Sequence, residues 1–186
     1  MSDGACAGKD FELLRKISGG DEEAFRQLYN QTHKRVYYYL YRLLREKSLA
    51  EDVLVETYTE VWRGAKNFKG KSQVTTWMMA ISRNLAMNQL KKIKKHEDID
   101  GLPNLSDGLI PDTGHLDRQK LLKEAMLKLS INHREILDLV FFHEMTYQEV
   151  SEILDIPLST VKTRVFYAKK ALRGILNQMG VNKVDV

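Results

Sequence analysis

The stretch YQEVSEILDIPLSTVKTRVF, residues 147–166, decides the fold. Thr146 stands three residues ahead of Glu149, the spacing of a capping box whose two side chains satisfy orphan backbone donors, so a helix begins there. Pro157 disfavours helical backbone at Ile156 and ends that helix, and Asp155 is among the few residues besides glycine that tolerate positive φ in a tight turn. Beyond the turn, Val161, Val165, Ala168, Leu172 and Ile175 recur at steps of 4, 3, 4 and 3, the buried stripe of a second, longer helix. Ser151 is small enough for a helix crossing, and Val161 supplies the apolar contact back to the first helix. Such a helix-turn-helix can lay its second helix in the ~12 Å major groove of duplex DNA. With the stripe buried, Lys162, Thr163, Arg164, Tyr167, Lys170 and Arg173 point outward, a set suited to phosphates and base edges. A charge run alone reads as a solvated helix face; the spacing and the capped turn together favour nucleic acid.

Upstream of this pair, Leu122, Ala125, Met126 and Leu129 stripe one helix, and Asn132 with Glu135 is expected to cap another. The block HEDIDGLPNLSDGLIPDTGHLDRQ, residues 96–119, has six acidic and one basic side chain, net −5, and two of the three prolines. It lacks a helical apolar period and reads as a linker. Residues 1–95 carry 18 basic and 11 acidic side chains, net +7, and residues 120–186 carry 10 and 8, net +2. The expected architecture is therefore all-α, with two small helical domains at 1–95 and 120–186 joined by an acidic tether.

In the first half Phe25, Leu28, Tyr29, Thr32, Val36, Leu40 and Leu44 follow the 3.6-residue period, entered by Asp21 as N-cap and running to about Lys47. Ser48 with Glu51 is expected to cap a second helix, which runs to about Arg63. NFKGKS reads as an exposed turn, after which Val74, Trp77, Met78, Ile81 and Leu85 mark the buried stripe of a third helix ending in KKIKK. Trp77 falls on that stripe and is expected to pack in the core, whereas Tyr37, Tyr38, Tyr39 and Tyr41 wrap several helix faces. The N-terminal residues that include Cys6 are expected to be a loose tail.

Composition excludes several classes. A chain of 186 residues with net charge +4, 43% hydrophobic and 29% charged content has ordinary globular make-up. No run approaches the ~18 apolar residues of a membrane span, and MSDGACAGKD has no apolar signal core, so a cytoplasmic protein without membrane insertion is expected. The single cysteine cannot form an internal disulfide, and five scattered histidines give no zinc spacing. There is no Gly-rich phosphate loop, HExxH, CxxC, GxSxG elbow or magnesium-binding carboxylate cluster. His133 and His143 are ten residues apart and cannot act as an i, i+4 pair. No enzyme, metal or cofactor is expected.

Three stretches, in order, carry a resemblance. LAEDVLVETYTEVWRG, FKGKSQVTTWMMAISRNLAMNQLKK and LSINHREILDLVFFHEMTYQEVSEILDIPLSTVKTRVFYAKKALR are similar to the polymerase-clamping, promoter-melting and minus-35-reading segments of extracytoplasmic-function sigma factors of bacterial RNA polymerase. The resemblance spans about Asp21 to Ile175, with the acidic block where the family has its linker. It implies that Glu51, Asp52 and Glu56 face the basic coiled coil of the polymerase's largest subunit, although Leu49 and Val55 replace residues usually polar in the family. It further implies that the loop Phe68 to Ser72, with Lys69, Lys71 and Ser72, and the helix residues Arg83, Asn84, Met87, Lys91 and Lys94 hold a flipped base and the separated minus-10 strand. Arg83, Met87, Lys91 and Lys94 are expected opposite the apolar stripe, with Asn84 on its flank. Ser159, Thr160, Lys162, Thr163, Arg164, Phe166, Tyr167 and Lys170 would contact the duplex minus-35 element, Phe166 being equally able to pack inside.

The implied partners are core RNA polymerase, promoter DNA and an anti-sigma factor. The competing reading is a dimeric helix-turn-helix regulator that binds duplex DNA without polymerase.

Overall fold

The computed structural model describes the backbone of residues 3–100 and 116–180 and the side chains of residues 8–93 and 120–180. All regular elements among the described residues are helical, and they divide into two compact units, Met1–Gly108 and Leu109–Val186. No helix among the described residues is long and apolar enough to cross a membrane.

The first unit contains α1 (Asp3–Ser18), α2 (Glu22–Leu44), α3 (Lys47–Gly64) and α4 (Val74–Asp100), with a single 3-10 turn at Ala65–Asn67. Asp21 caps α2 as its spacing predicts, accepting from the Ala24 amide at 2.9 Å. Its interior stripe of Leu28, Thr32, Val36, Leu40 and Leu44 is buried. Between α2 and α3, the Tyr58 ring meets Tyr29 at 4.7 Å and Phe25 at 6.1 Å between centroids, and Phe25 in turn meets Trp62 at 5.1 Å. At the centre of this cluster the buried Tyr58 hydroxyl lies 2.6 Å from Thr32 Oγ1.

Four expectations are corrected here. Residues 3–18 are not a loose tail but a helix whose Leu14 and Ile17 are fully buried. Helix α2 stops at Leu44 rather than near Lys47, because Arg45 turns left-handed at φ 62. The next cap is not Ser48 with Glu51: the Glu46 carboxylate accepts from the Ser48 and Leu49 amides at 2.9 and 2.7 Å, and the Ser48 hydroxyl above all, with these amides, holds its pKa below the usual carboxylate range. Ser48 lies inside the helix, and its hydroxyl donates to the same carboxylate. The buried line of α4 is also rotated from the expected one, comprising Val74, Thr76, Met78, Met79, Ser82 and Ala86, with Trp77, Ile81 and Leu85 only half-buried. Thr76 and Ser82 are polar residues on the inner face, and Ser82 satisfies its hydroxyl on the Met79 carbonyl at 2.9 Å.

Helix α4 continues to Asp100 and the second unit opens with α5 (Leu116–Leu127), so helix enters both ends of the acidic block. Then follow α6 (Ile131–Leu137), a π turn at Asp138–Phe142, α7 (Tyr147–Leu154) and α8 (Leu158–Gln178). Ala125, Met126 and Leu129 are buried as expected, but Leu122 is exposed. Ser130, not Asn132, caps α6, accepting from the His133 amide, while Glu135 is drawn into the interior. His143 Nε2 lies 3.2 Å from Asp138 Oδ2, both side chains buried.

Candidate nucleic-acid interface

The helix pair α7–α8 forms as its residues dictate. Thr146 and Glu149 make a reciprocal capping box, with the Thr146 amide donating to Glu149 Oε2 at 2.8 Å and the Glu149 amide to Thr146 Oγ1 at 3.2 Å. Asp155 takes the left-handed conformation at φ 52, ψ 52. Ser151 does more than fit a crossing: its hydroxyl donates to the Ile156 carbonyl at 2.6 Å, tying the helix to the far side of the turn. Val161, Val165 and Ala168 are buried, which fixes the rotation of α8, whereas Leu172 and Ile175 at the far end of the expected stripe are only half-buried.

That rotation gives α8 two outward lines. Ser159, Thr160, Thr163, Arg164, Tyr167 and Lys170 line an open groove of about 820 Å³, together with His133 of α6 and Ala171. Lys162 and Phe166 lie outside the groove and are exposed. Phe166 is 64% exposed, which decides between packing and presentation, and its ring meets Tyr167 edge-on at 5.4 Å. Arg173 is exposed, and Lys169 Nζ sits 4.8 Å over the Phe141 ring. His133 is the groove residue that sequence reasoning missed; it belongs to another helix, and only the tertiary fold brings it to α8.

In the first unit, Lys69 and Lys71 are exposed on the loop before α4, and Ser72 is half-buried. Gly70 between the lysines has φ 64, a left-handed bend that glycine adopts without strain. The loop rests on aromatic rings: Phe68 packs on Trp77 at 5.1 Å, and a Cβ on Gly64 would come within 3.1 Å of the Trp77 ring. Trp77 is thus half-buried in an aromatic cluster rather than in the core stripe. On α4, Arg83, Met87 and Lys91 follow at four-residue steps along one strip. The rotated inner face reverses their expected places: Asn84 is the exposed residue opposite the core, with Lys91, whereas Arg83 and Met87 are half-buried on the flank. Lys94 lies on the same helix, but its side chain is outside the described residues.

On α3, Glu51, Asp52 and Glu56 all face outward, with Val55 between them 68% exposed. Glu51 lies 3.8 Å from Lys47, an exposed pair of little energetic weight. The buried Ala50, Val53, Leu54 and Thr57 fix which face carries the acids. Among the described residues no group of three or more His, Cys, Asp or Glu could hold a metal ion.

Two helical units, one with an outward helix-turn-helix and the other with a basic loop ahead of a long helix, describe a class of transcription protein, and comparison with known proteins agrees. Residues 28–96 match the model of Sigma-70 region 2, and residues 125–174 that of Sigma-70 region 4. The chain is 30% identical over 172 residues to the ECF RNA polymerase sigma factor SigK of Mycobacterium tuberculosis, covering 89% of this chain and 92% of that one. It is 27% identical over 179 residues to SigW of Bacillus subtilis, covering 89% and 96%. Among solved structures, the sigma factor RpoE in complex with the anti-sigma factor NepR from Bartonella quintana is similar at TM-score 0.73 and 26% identity, covering 82% of this chain and 96% of that one. The chain belongs to the extracytoplasmic-function family of RNA polymerase sigma factors. That membership favours the sigma reading over the dimeric regulator.

Proposed function

We propose that this chain docks on core RNA polymerase through the acidic face of α3, reads a duplex minus-35 element with the groove of α8, and holds the melted minus-10 strand along the 68–72 loop and α4. The observation that carries the reading is the convergence of Ser159, Thr160, Thr163, Arg164, Tyr167 and Lys170 on one open groove over a buried Val161–Val165 stripe. Lys162 and Phe166 flank that groove and extend the same contact. Hydroxyls, a guanidinium and an ammonium in such an array engage phosphates and discriminate base edges by ~1–3 kcal/mol for each good pair.

The loop lysines and Lys91 supply positive charge along a path suited to a single strand, and Asn84 supplies an amide that can hydrogen-bond an unstacked base. Glu51, Asp52 and Glu56 give α3 a negative face that would steer it toward a basic partner. The working units are residues 1–95 and 120–186, with 96–119 as tether. The chain acts in the cytoplasm and contributes binding energy only; bond making belongs to the polymerase.

An anti-sigma partner fits the same surfaces, as the related RpoE is held by NepR in its solved complex. By this reading the partner hides the polymerase and DNA faces until it is lost. Sedimentation of the purified chain with core polymerase tests the docking step. Cosedimentation that is lost in an Asp52→Lys, Glu56→Lys variant is expected; cosedimentation unaffected by that reversal would reject the α3 assignment, and no cosedimentation at all would reject the function.

A further inference from the structure

The helix that the sequence did not announce, α1, touches the loop to which melted-strand binding is assigned. Phe11 projects from α1 onto that loop: its ring centroid is 6.0 Å from that of Phe68, and a Cβ on Gly70 would come within 3.2 Å of its Cε2 atom. Phe68 packs in turn at a tilt on Trp77 of α4, whose ring closes against Gly64 at the end of α3. Leu14 and Ile17, one and two turns further along α1, are 1% and 2% exposed, so the base of the helix is fixed in the core. Phe11 itself is 45% exposed, so its ring lies at the surface, where the loop rests on it. It sits on the one loop position that lacks a side chain and bends left-handed.

We propose that Phe11 is a positioning residue for strand capture: its ring braces Gly70 and Phe68 and so sets the loop curvature that presents Lys69, Lys71 and Ser72 to the separated strand. This rests on the assignment of that loop to strand binding. An unbraced loop samples more conformations, and ordering it upon binding costs affinity. The brace therefore acts on strand capture while leaving the polymerase-docking face of α3 untouched. Because the Gly70 contact is direct, the effects of changing the two residues are not additive.

The test uses full-length protein assembled with core polymerase and a fluorescein-labelled single strand carrying the non-template sequence of a start site mapped with the wild-type holoenzyme. Phe11→Ala is expected to weaken strand binding by about three- to tenfold, the range of one aromatic contact, with core binding unchanged. Phe11→Tyr should restore it. Gly70→Ala should weaken binding less in the Phe11→Ala background than in the wild type, since the ring it would strike is gone. Amide exchange across residues 68–72 should quicken in Phe11→Ala. Val36→Ala, a cavity in the core of α2, serves as a control for loss of stability alone.

Strand affinity and loop exchange equal to wild type in Phe11→Ala, or losses matched by Val36→Ala, would overturn the brace and leave Phe11 as packing. Wild-type holoenzyme that opens promoters but does not bind the strand through this loop, shown by full affinity in Lys69→Ala, Lys71→Ala, would reject the loop assignment and the brace with it.

Discussion

The Ser151 hydroxyl donates to the Ile156 carbonyl at 2.6 Å, and the Ile156 amide donates back to the Ser151 carbonyl at 3.2 Å. This reciprocal pair closes the turn between α7 and α8 around the left-handed Asp155, so one small side chain sets the angle at which α8 leaves its partner.

Ser151→Ala removes the hydroxyl bond and leaves the Ile156 carbonyl short of a donor. The expected cost is about 1 kcal/mol by chemical denaturation. A Ser151→Leu variant should also impair duplex binding, because its bulk would change the exit angle of α8. Equal duplex affinity in Ser151→Leu and wild type would show that the angle is set elsewhere.

Thr32 and Tyr58 should respond unequally. Thr32 Oγ1 donates to the Leu28 carbonyl at 2.7 Å, so the Tyr58 hydroxyl must donate to Thr32 across their 2.6 Å contact. Burial pushes the Tyr58 hydroxyl well above the ordinary tyrosine range, against the opposing effect of the Thr32 bond. Tyr58→Phe leaves Thr32 its bond to Leu28 and should cost about 1 kcal/mol, whereas Thr32→Val strands a buried phenol and should cost about 1–3 kcal/mol. Urea melts of the two variants measure the difference.

Asp10 on α1 is half-buried, and burial alone raises its carboxyl above the ordinary range. The folded state therefore disfavours the ionised form. Stability from this group is present below its unfolded pKa and is lost as pH rises through the higher folded value. Asp10→Asn should raise the melting temperature slightly at neutral pH, the effect being weakened by solvent screening, and the gain should vanish in acid. A gain that grows on acidification would contradict the sign.

The groove residues separate by role. Lys170→Ala should weaken duplex binding by holoenzyme uniformly across sequences and lower the magnitude of the salt-dependence slope by about one, the signature of one lost phosphate contact. Arg164→Ala should instead relax preference at one base position, by ~1–3 kcal/mol if its contact is bidentate to guanine. Titrations at several salt concentrations against duplexes varied in the minus-35 element distinguish the two outcomes.

The helix-turn-helix could be read closely because all its signals are local: a capping box, a residue that tolerates positive φ, a proline, and an unbroken stripe of valines and alanine. The apolar pattern places helix α4 but not its rotation, because the polar Thr76 and Ser82 and the small Ala86 fill much of its inner face. Helix α1 is hidden in the sequence for a different reason. Phe11, Leu14 and Ile17 do recur at three-residue steps ahead of the Gly19–Gly20 pair, but Gly4 and Gly8 weaken the propensity signal and a terminus invites a disordered reading. Glu46 displaced Ser48 as cap because a carboxylate reached two amides at once, a competition that spacing does not rank. His133 meets α8, and Phe11 meets Gly70, only through tertiary packing, which no local pattern shows.

Run-off transcription with purified core polymerase on fragmented genomic DNA, with and without this chain, probes the account at its root. New discrete start sites are predicted when the chain is added, sharing a two-part upstream element, and their loss is predicted in a Lys162→Ala, Arg164→Ala variant that still binds core. The same set of starts whether or not the chain is present would contradict it.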